Sequence, residues 1–316
     1  MTDLPTGQST GQSQETILVQ QPRPGIIRMG GSDGLDLLNR ISTNAVAHLP
    51  AGRVRPTILT NALGRIVDII TILHTHQGLI LVTSPDQQQV VLDWIQAYIF
   101  FQDDVQLSDE TKTWVEIGIY GQGAAGLVPE LFAGAAPPEA DELVEAEGSL
   151  VWRSPTPLDG FRSLLPPGAL DAVTGSQLQA DPGSARAAYD AMRIAAGLPA
   201  AGQELAQDVT PLDLGLDRWI SFEKGCYIGQ EVIARMESRQ QRPRKLVRMR
   251  LTGAATPGSL IKSGGATAGT LTSVAQHPQA GWIGLGLLHT RNTPKPRSWD
   301  VDGVEASLWD GEIPPS

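Results

Sequence analysis

The chain has 316 residues, a formal charge of −10 at neutral pH, 41% hydrophobic and 18% charged residues. At about 150 residues per domain this predicts two domains with their own cores, excludes a disordered or collagen-like chain, and gives a net field with no general attraction for nucleic acid or anionic membrane. The single cysteine excludes a disulfide framework, a multi-thiolate zinc site and an iron–sulfur cluster held by this chain alone.

Residues 1–20, rich in Gly, Ser, Thr and Gln, predict a flexible tail. They lack the charged and apolar regions of a secretory signal, and no run approaches 18 apolar residues, so a cytoplasmic protein with no membrane partner is expected. GIIRM at 25–29 predicts a first strand, and DGLDLLNRI at 33–41 a short helix with Leu35, Leu38 and Ile41 on one face. A hairpin follows over 55–60 and 65–74, turning through Asn61 to Gly64, then a strand at 79–83. Ser84, Pro85 and Asp86 predict the start of a helix reaching about residue 99. A strand at 113–120 and a helix at 124–131 come next, and the Ala- and Pro-rich stretch 129–147 reads as a surface excursion without strands. Strands at 149–153 and 161–165 precede a helix over 182–196. From Arg244 the pattern changes to short β runs between Gly and Pro turns, as in a small barrel or sandwich. The fold class is therefore α+β, with a tail at 1–20, a mixed domain at 21–243 and an all-β domain at 244–316.

Chemistry concentrates in FEKGCYIGQEVIARM at 222–236. Lys224, two residues before Cys226, is placed to lower the thiol pKa, and Gly225 and Gly229 permit a close backbone approach. No histidine is local, so a Cys–His pair would need His48, His74, His76, His277 or His289. The alternative is a small buried hydrophobe. Glu231 and Arg235 have the i,i+4 spacing of a helix-stabilising pair. Asp68, an acid inside the apolar run IVDIITI, must be exposed or specifically paired; on a pocket wall it would suit the amino-pyrimidine of a pterin.

Other motifs carry less. GQGAAG at 121–126 has the dinucleotide-binding spacing without the acidic residue that should follow, so tight helix packing is expected. His74 and His76 share a strand face with no third ligand, and no metal site is expected. Asp208, Asp213 and Asp217 read as turn and cap residues. Residues 239–250 hold six Arg or Lys in 12, the one candidate patch for a polyanion, but direct nucleic-acid binding is not expected at this net charge.

The segment KGCYIGQE at 224–231 resembles the signature of the YgfZ group of folate-binding proteins, related to mitochondrial iron–sulfur assembly factors and to the glycine-cleavage aminomethyltransferase, or T-protein. GSDGLDLLNRISTNAV, LTNALGRIVDIITI and RIAAGLPAAGQELAQDVTPLDLGLD extend the likeness to about residues 25–309. The resemblance implies ferredoxin-like subdomains around a folate pocket, followed by a C-terminal barrel. It implies that tetrahydrofolate or a derivative is bound with Asp68, Arg193, Tyr227, Gln230, Glu231 and Arg235, and that Cys226 and Lys224 carry the chemistry. Ile69 stands where transferases have a second acid, and Arg193-I-A-A-Gly197 puts Ala195 where R-x-E-A-G supplies a glutamate to the pterin, which implies weakened or reoriented folate binding. The function implied is a monomeric accessory factor for synthesis or repair of iron–sulfur clusters in client enzymes, tRNA-modifying ones included. The alternatives are a tetrahydrofolate-dependent one-carbon transferase or demethylase, and a non-catalytic docking module.

Overall fold

The computed structural model describes residues 16–21, 24–154, 158–170, 182–205, 208–290 and 298–309. Two five-stranded antiparallel sheets lie face to face, the first with two helices and the second with one packed on its outer side. The first contains β2 (Ile26–Gly30), β3 (Arg53–Thr60), β4 (Ile66–Thr75), β5 (Gly78–Val82) and β6 (Gln106–Asp109), in the order β3-β4-β5-β2-β6. Its outer face carries α1 (Gly34–Ile41) and α2 (Gln88–Gln96), whose Leu37, Leu38, Ile41, Val91 and Ile95 are buried on Ile70 and Ile72. Each such leucine or isoleucine contributes roughly 1.5–3 kcal/mol on burial.

The second sheet has the order β1-β7-β10-β9-β8, from β1 (Ile17–Gln20), β7 (Val115–Tyr120), β8 (Leu143–Ala146), β9 (Ser149–Arg153) and β10 (Gly160–Leu165). On its outer face α3 (Ala124–Leu131) buries Val128 against Ile117, Ile119 and Phe161. Between the sheets Val54, Leu73, Ile80 and Val82 of the first meet Leu150, Trp152 and Leu164 of the second. The C-terminal unit is a closed six-stranded barrel, ordered β11-β14-β13-β12-β15-β16: β11 (Arg244–Leu251), β12 (Leu260–Ser263), β13 (Ala266–His277), β14 (Gly281–His289), β15 (Trp299–Val301) and β16 (Val304–Leu308). Helix α4 (Pro182–Ala195) packs on β13, β14 and β1, joining barrel to sheets. Helix α5 (Gln230–Ser238) follows the cysteine loop. This is the α+β architecture of two ferredoxin-like sheets and a barrel that the resemblance implies.

Three local expectations need correction. Ile17–Gln20, read as tail, is an edge strand paired with β7 from Ile17 opposite Tyr120 to Gln20 opposite Ile117, and Leu18 and Val19 are buried. A four-residue edge strand has no periodicity of its own, and its order comes from the partner. The rest of the expected tail, residues 1–15, lies outside the described residues. Leu143–Ala146, inside the expected excursion, is β8, paired with β9 and buried at Leu143. Helix α2 begins at Gln88 instead of the Ser84–Asp86 turn, because Asp86 has φ +60°, outside the helical region. Among the described residues no helix is long and apolar enough to cross a membrane.

Candidate functional site

Strand alternation sends Ile117 and Ile119 toward α3 and turns Glu116, Gly118 and Tyr120 to the inner face. The same alternation puts Arg162 of β10 on that face, and Ile69 and Thr71 of β4 on the facing one. Here the apolar packing between the sheets gives way to a cavity of about 180 Å³. Arg186, Tyr189 and Arg193 of α4, residues 198–201 and Trp219 close it.

Glu116 is 2% exposed and accepts a hydrogen bond from Arg162 Nε at 2.5 Å. The Arg162 guanidinium also lies 5.4 Å over the Trp152 ring. The Tyr120 and Tyr189 rings are 5.2 Å apart, and burial pushes both phenols up, so they stay protonated donors. The Tyr120 ring lies over Gly118, where any Cβ would collide with it.

Arg193 ties this cavity to the barrel. It is 3% exposed, with Nε donating to Asp190 at 2.7 Å and Nη2 to Gln203 at 2.5 Å and Ser273 of β13 at 3.1 Å. Glu204 lies 3.5 Å from its Nη1 and accepts from the Ala200 amide and the Thr272 and Ser273 hydroxyls, at 2.9, 2.6 and 2.5 Å. This buried carboxylate, satisfied on every side, holds residues 198–205 against the barrel. Ala195, two residues further along α4, packs on Ile283 and Leu285 of the barrel and gives its carbonyl to Arg248 Nη1 at 2.8 Å.

Asp68 is 2% exposed and sits on the face of β4 that carries Ile70 and Ile72, opposite to the cavity-lining Ile69 and Thr71. Its Oδ2 accepts the Ser84 amide at 3.0 Å, fixing the Ser84–Pro85 turn that borders the cavity. Burial raises its pKa to about 6 against the pull of hydrogen bonds from Ser84 and the Ile69 amide.

The cysteine loop forms a second cluster. Lys224 Nζ donates to the carbonyls of Asn39, Ser42 and Asn44 at 2.6, 2.7 and 2.8 Å, which ties the loop to the open C-terminal end of α1. It also lies 5.2 Å from the Tyr227 ring centre, and burial pushes its pKa down to about 8. Tyr227 is buried with Leu212, Ile220 and Ile233. Gly229 has φ +82° and crosses the β3–β4 hairpin so closely that a Cβ would stand 2.6 Å from the Asn61 carbonyl oxygen. Thr60 Oγ1 donates to the Ile228 carbonyl at 2.6 Å beside it. Against this anchored frame Cys226 is exposed.

Gln230 opens α5 with its amide on the Tyr227 carbonyl, and Glu231 and Arg235 pair on its exposed face at 2.8 Å. Of the residues singled out in the sequence, Arg193 borders the cavity, while Lys224, Cys226, Tyr227, Gln230, Glu231 and Arg235 gather at the loop and Asp68 lies behind the cavity wall. Sequence reading missed Glu116, Tyr120, Arg162 and Tyr189. Glu116 in TWVEIGIY gave the same signal as Asp68, an acid inside an apolar strand.

The other motifs are absorbed by local structure. His74 Nδ1 is 2.7 Å from the Leu49 carbonyl, and His76 pairs with Glu145 at 2.9 Å. Asp217 and Glu237 hold Arg242, and Asp208 and Asp213 hold Arg244, so carboxylates neutralise part of the basic stretch at the barrel entrance.

The sequence model of the GCVT N-terminal domain matches residues 14–141, which span the first sheet with its helices, β1, β7 and α3. The chain is 28% identical to an aminomethyltransferase of Geobacillus kaustophilus over 303 residues, 88% of this chain and 80% of that one. A crystal structure of the glycine cleavage system aminomethyltransferase T from Bartonella henselae superposes with a TM-score of 0.80 at 19% identity, covering 95% of this chain and 86% of the other. The chain is thus similar in sequence to aminomethyltransferases and shares the fold of one. It is also 28% identical over 281 residues to a putative chloroplastic transferase of Arabidopsis thaliana, 86% of this chain and 65% of that protein's length. The GCVT N-terminal match contains Asp68, Glu116 and Tyr120, whereas α4, the cysteine loop and the barrel lie beyond it.

Proposed function

We propose that the protein binds a reduced folate in the cavity between the sheets and acts in one-carbon transfer. The observation that carries this reading is the change of the inter-sheet face from apolar packing to a polar wall. Burying Glu116 with Arg162 costs desolvation that apolar residues would avoid, and such groups cluster where a ligand is recognised. The residues fit the group. Ile69, Val82, Leu198 and Trp219 offer apolar contact to a flat ring, while Thr71, Tyr120, Tyr189 and Glu116 offer donors and acceptors. A bound reduced folate supplies ring nitrogens that accept or release a one-carbon unit. This chain's part is to orient the ring, exclude water and hold two protonated phenols beside it. The likeness to aminomethyltransferases supports the class of chemistry.

Calorimetric titration with 5-formyltetrahydrofolate tests the binding step, and absence of heat at millimolar ligand overturns it. Formation of methylenetetrahydrofolate from tetrahydrofolate and an aminomethyl donor, with ammonia released, tests turnover.

A second reading rests on Cys226, exposed on a loop that Lys224 and Gly229 hold rigid. There the protein is a cytoplasmic monomer whose thiol serves iron–sulfur client or assembly proteins. Deleting the gene and assaying several iron–sulfur enzymes beside cluster-free controls tests it; full rescue by Cys226→Ser removes the thiol from the account.

A further inference from the structure

We propose that Glu116, with Arg162, is the recognition pair for the pyrimidine edge of the bound ring. The inference rests on the folate-binding reading above and names the group that performs it. A 2-amino-4-oxo-pyrimidine presents an amino group and a ring N–H side by side, with a carbonyl oxygen next to them. A carboxylate answers the two donors and a guanidinium answers the oxygen.

Glu116 borders the cavity on the inner face of β7 at 2% exposure. Its bond to Arg162 Nε at 2.5 Å uses one lone pair of Oε1, and a carboxylate offers about four. Arg162 borders the same cavity, and its guanidinium carries four Nη hydrogens besides the Nε hydrogen given to Glu116. The pair is itself fixed. Arg162 lies over Trp152, and Tyr120 stands two residues along the same face of β7 from the intervening Gly118. An acceptor held this rigidly loses little entropy on binding. The facing wall, at Ile69, Thr71 and Val82, carries no charge that could serve instead.

The test separates the two halves of the ligand. Wild type, Glu116→Gln and Glu116→Asp proteins are titrated with 5-formyltetrahydrofolate, with 6,7-dimethyltetrahydropterin, which is the ring alone, and with p-aminobenzoylglutamate, which is the tail alone. Loss of a charged acceptor predicts on the order of 10- to 100-fold weaker binding of the first two by Glu116→Gln, with the tail fragment unchanged within twofold and Glu116→Asp intermediate. Equal affinity of wild type and Glu116→Gln for the pterin overturns the inference and leaves the folate reading standing. Equal losses for ring and tail also overturn it, because they mark general collapse of the cavity. If Glu116→Gln does not fold, Glu116→Asp decides, and pterin binding as tight as that of wild type overturns the proposal. No binding of any probe by the wild type removes the folate reading itself.

Discussion

Replacing Asp68 by asparagine isolates one buried acid in the first sheet. At 2% exposure its carboxyl ionises only against the low-dielectric core, which moves its pKa from 3.8 to about 6. Folded protein therefore holds this proton more tightly than unfolded chain. The stability that the neutral form confers is full below pH 3.8, falls as pH rises through the interval, and is gone above about pH 6. At about 1.4 kcal/mol per pH unit the total is about 3 kcal/mol. Asparagine has no proton to lose. Its amide changes the contact with the Ser84 N–H by an amount that is the same at every pH. The quantity to measure is the difference in unfolding free energy between Asp68→Asn and wild type, from urea melts at half-unit steps from pH 4 to 8. Over this range it should move by about 2.5 kcal/mol in favour of the variant, mostly between pH 4 and 6, and then level off. A difference that stays flat across this range would refute the assignment of a desolvated carboxyl.

The two glycines of the cysteine loop should behave differently. Gly229→Ala combines φ +82° with a Cβ 2.6 Å from a backbone oxygen and should cost at least about 2 kcal/mol, whereas Gly225→Ala meets nothing within 4 Å and should stay within about 0.5 kcal/mol; thermal melts of both variants check this. Lys224→Met removes three charged hydrogen bonds to the end of α1 and should destabilise by about 2–3 kcal/mol in urea unfolding, with faster proteolysis near residues 221–229; unchanged cleavage there would show that the clamp is dispensable. Glu231→Ala breaks a pair whose side chains are 86% and 58% exposed and should change stability by less than about 0.5 kcal/mol, and a larger loss in the same melts would give the pair a role beyond helix support.

Periodicity within a segment was enough to place most elements. The amphipathic DGLDLLNRI became α1, the hairpin strands became β3 and β4, and the β runs from Arg244 became the barrel. The elements it missed are those whose order comes from a neighbour, such as β1 on β7 and β8 on β9. Asp86 shows the converse case, where one backbone angle set by the surrounding fold delays a helix that local capping residues announce.

The candidate site divides along the same line. A run such as KGCYIGQE is contiguous, so the sequence alone singled out Cys226 and its neighbours, and composition alone fixed that one thiol is all this chain has. Which of these residues are exposed, and that Lys224 spends its ammonium on three carbonyls at and just beyond the end of α1, depends on chain 180 or more residues away. The cavity is wholly tertiary. Glu116 and Arg162 stand 46 residues apart on adjacent strands, Arg193 comes from a helix packed on the barrel, and Ile69 comes from the facing sheet. The face on which a side chain emerges is set by strand register, and register is fixed only when the sheets pair and pack. That pairing sends Asp68 to the helix side and Glu116 to the cavity, although in the sequence both are an acid inside an apolar strand.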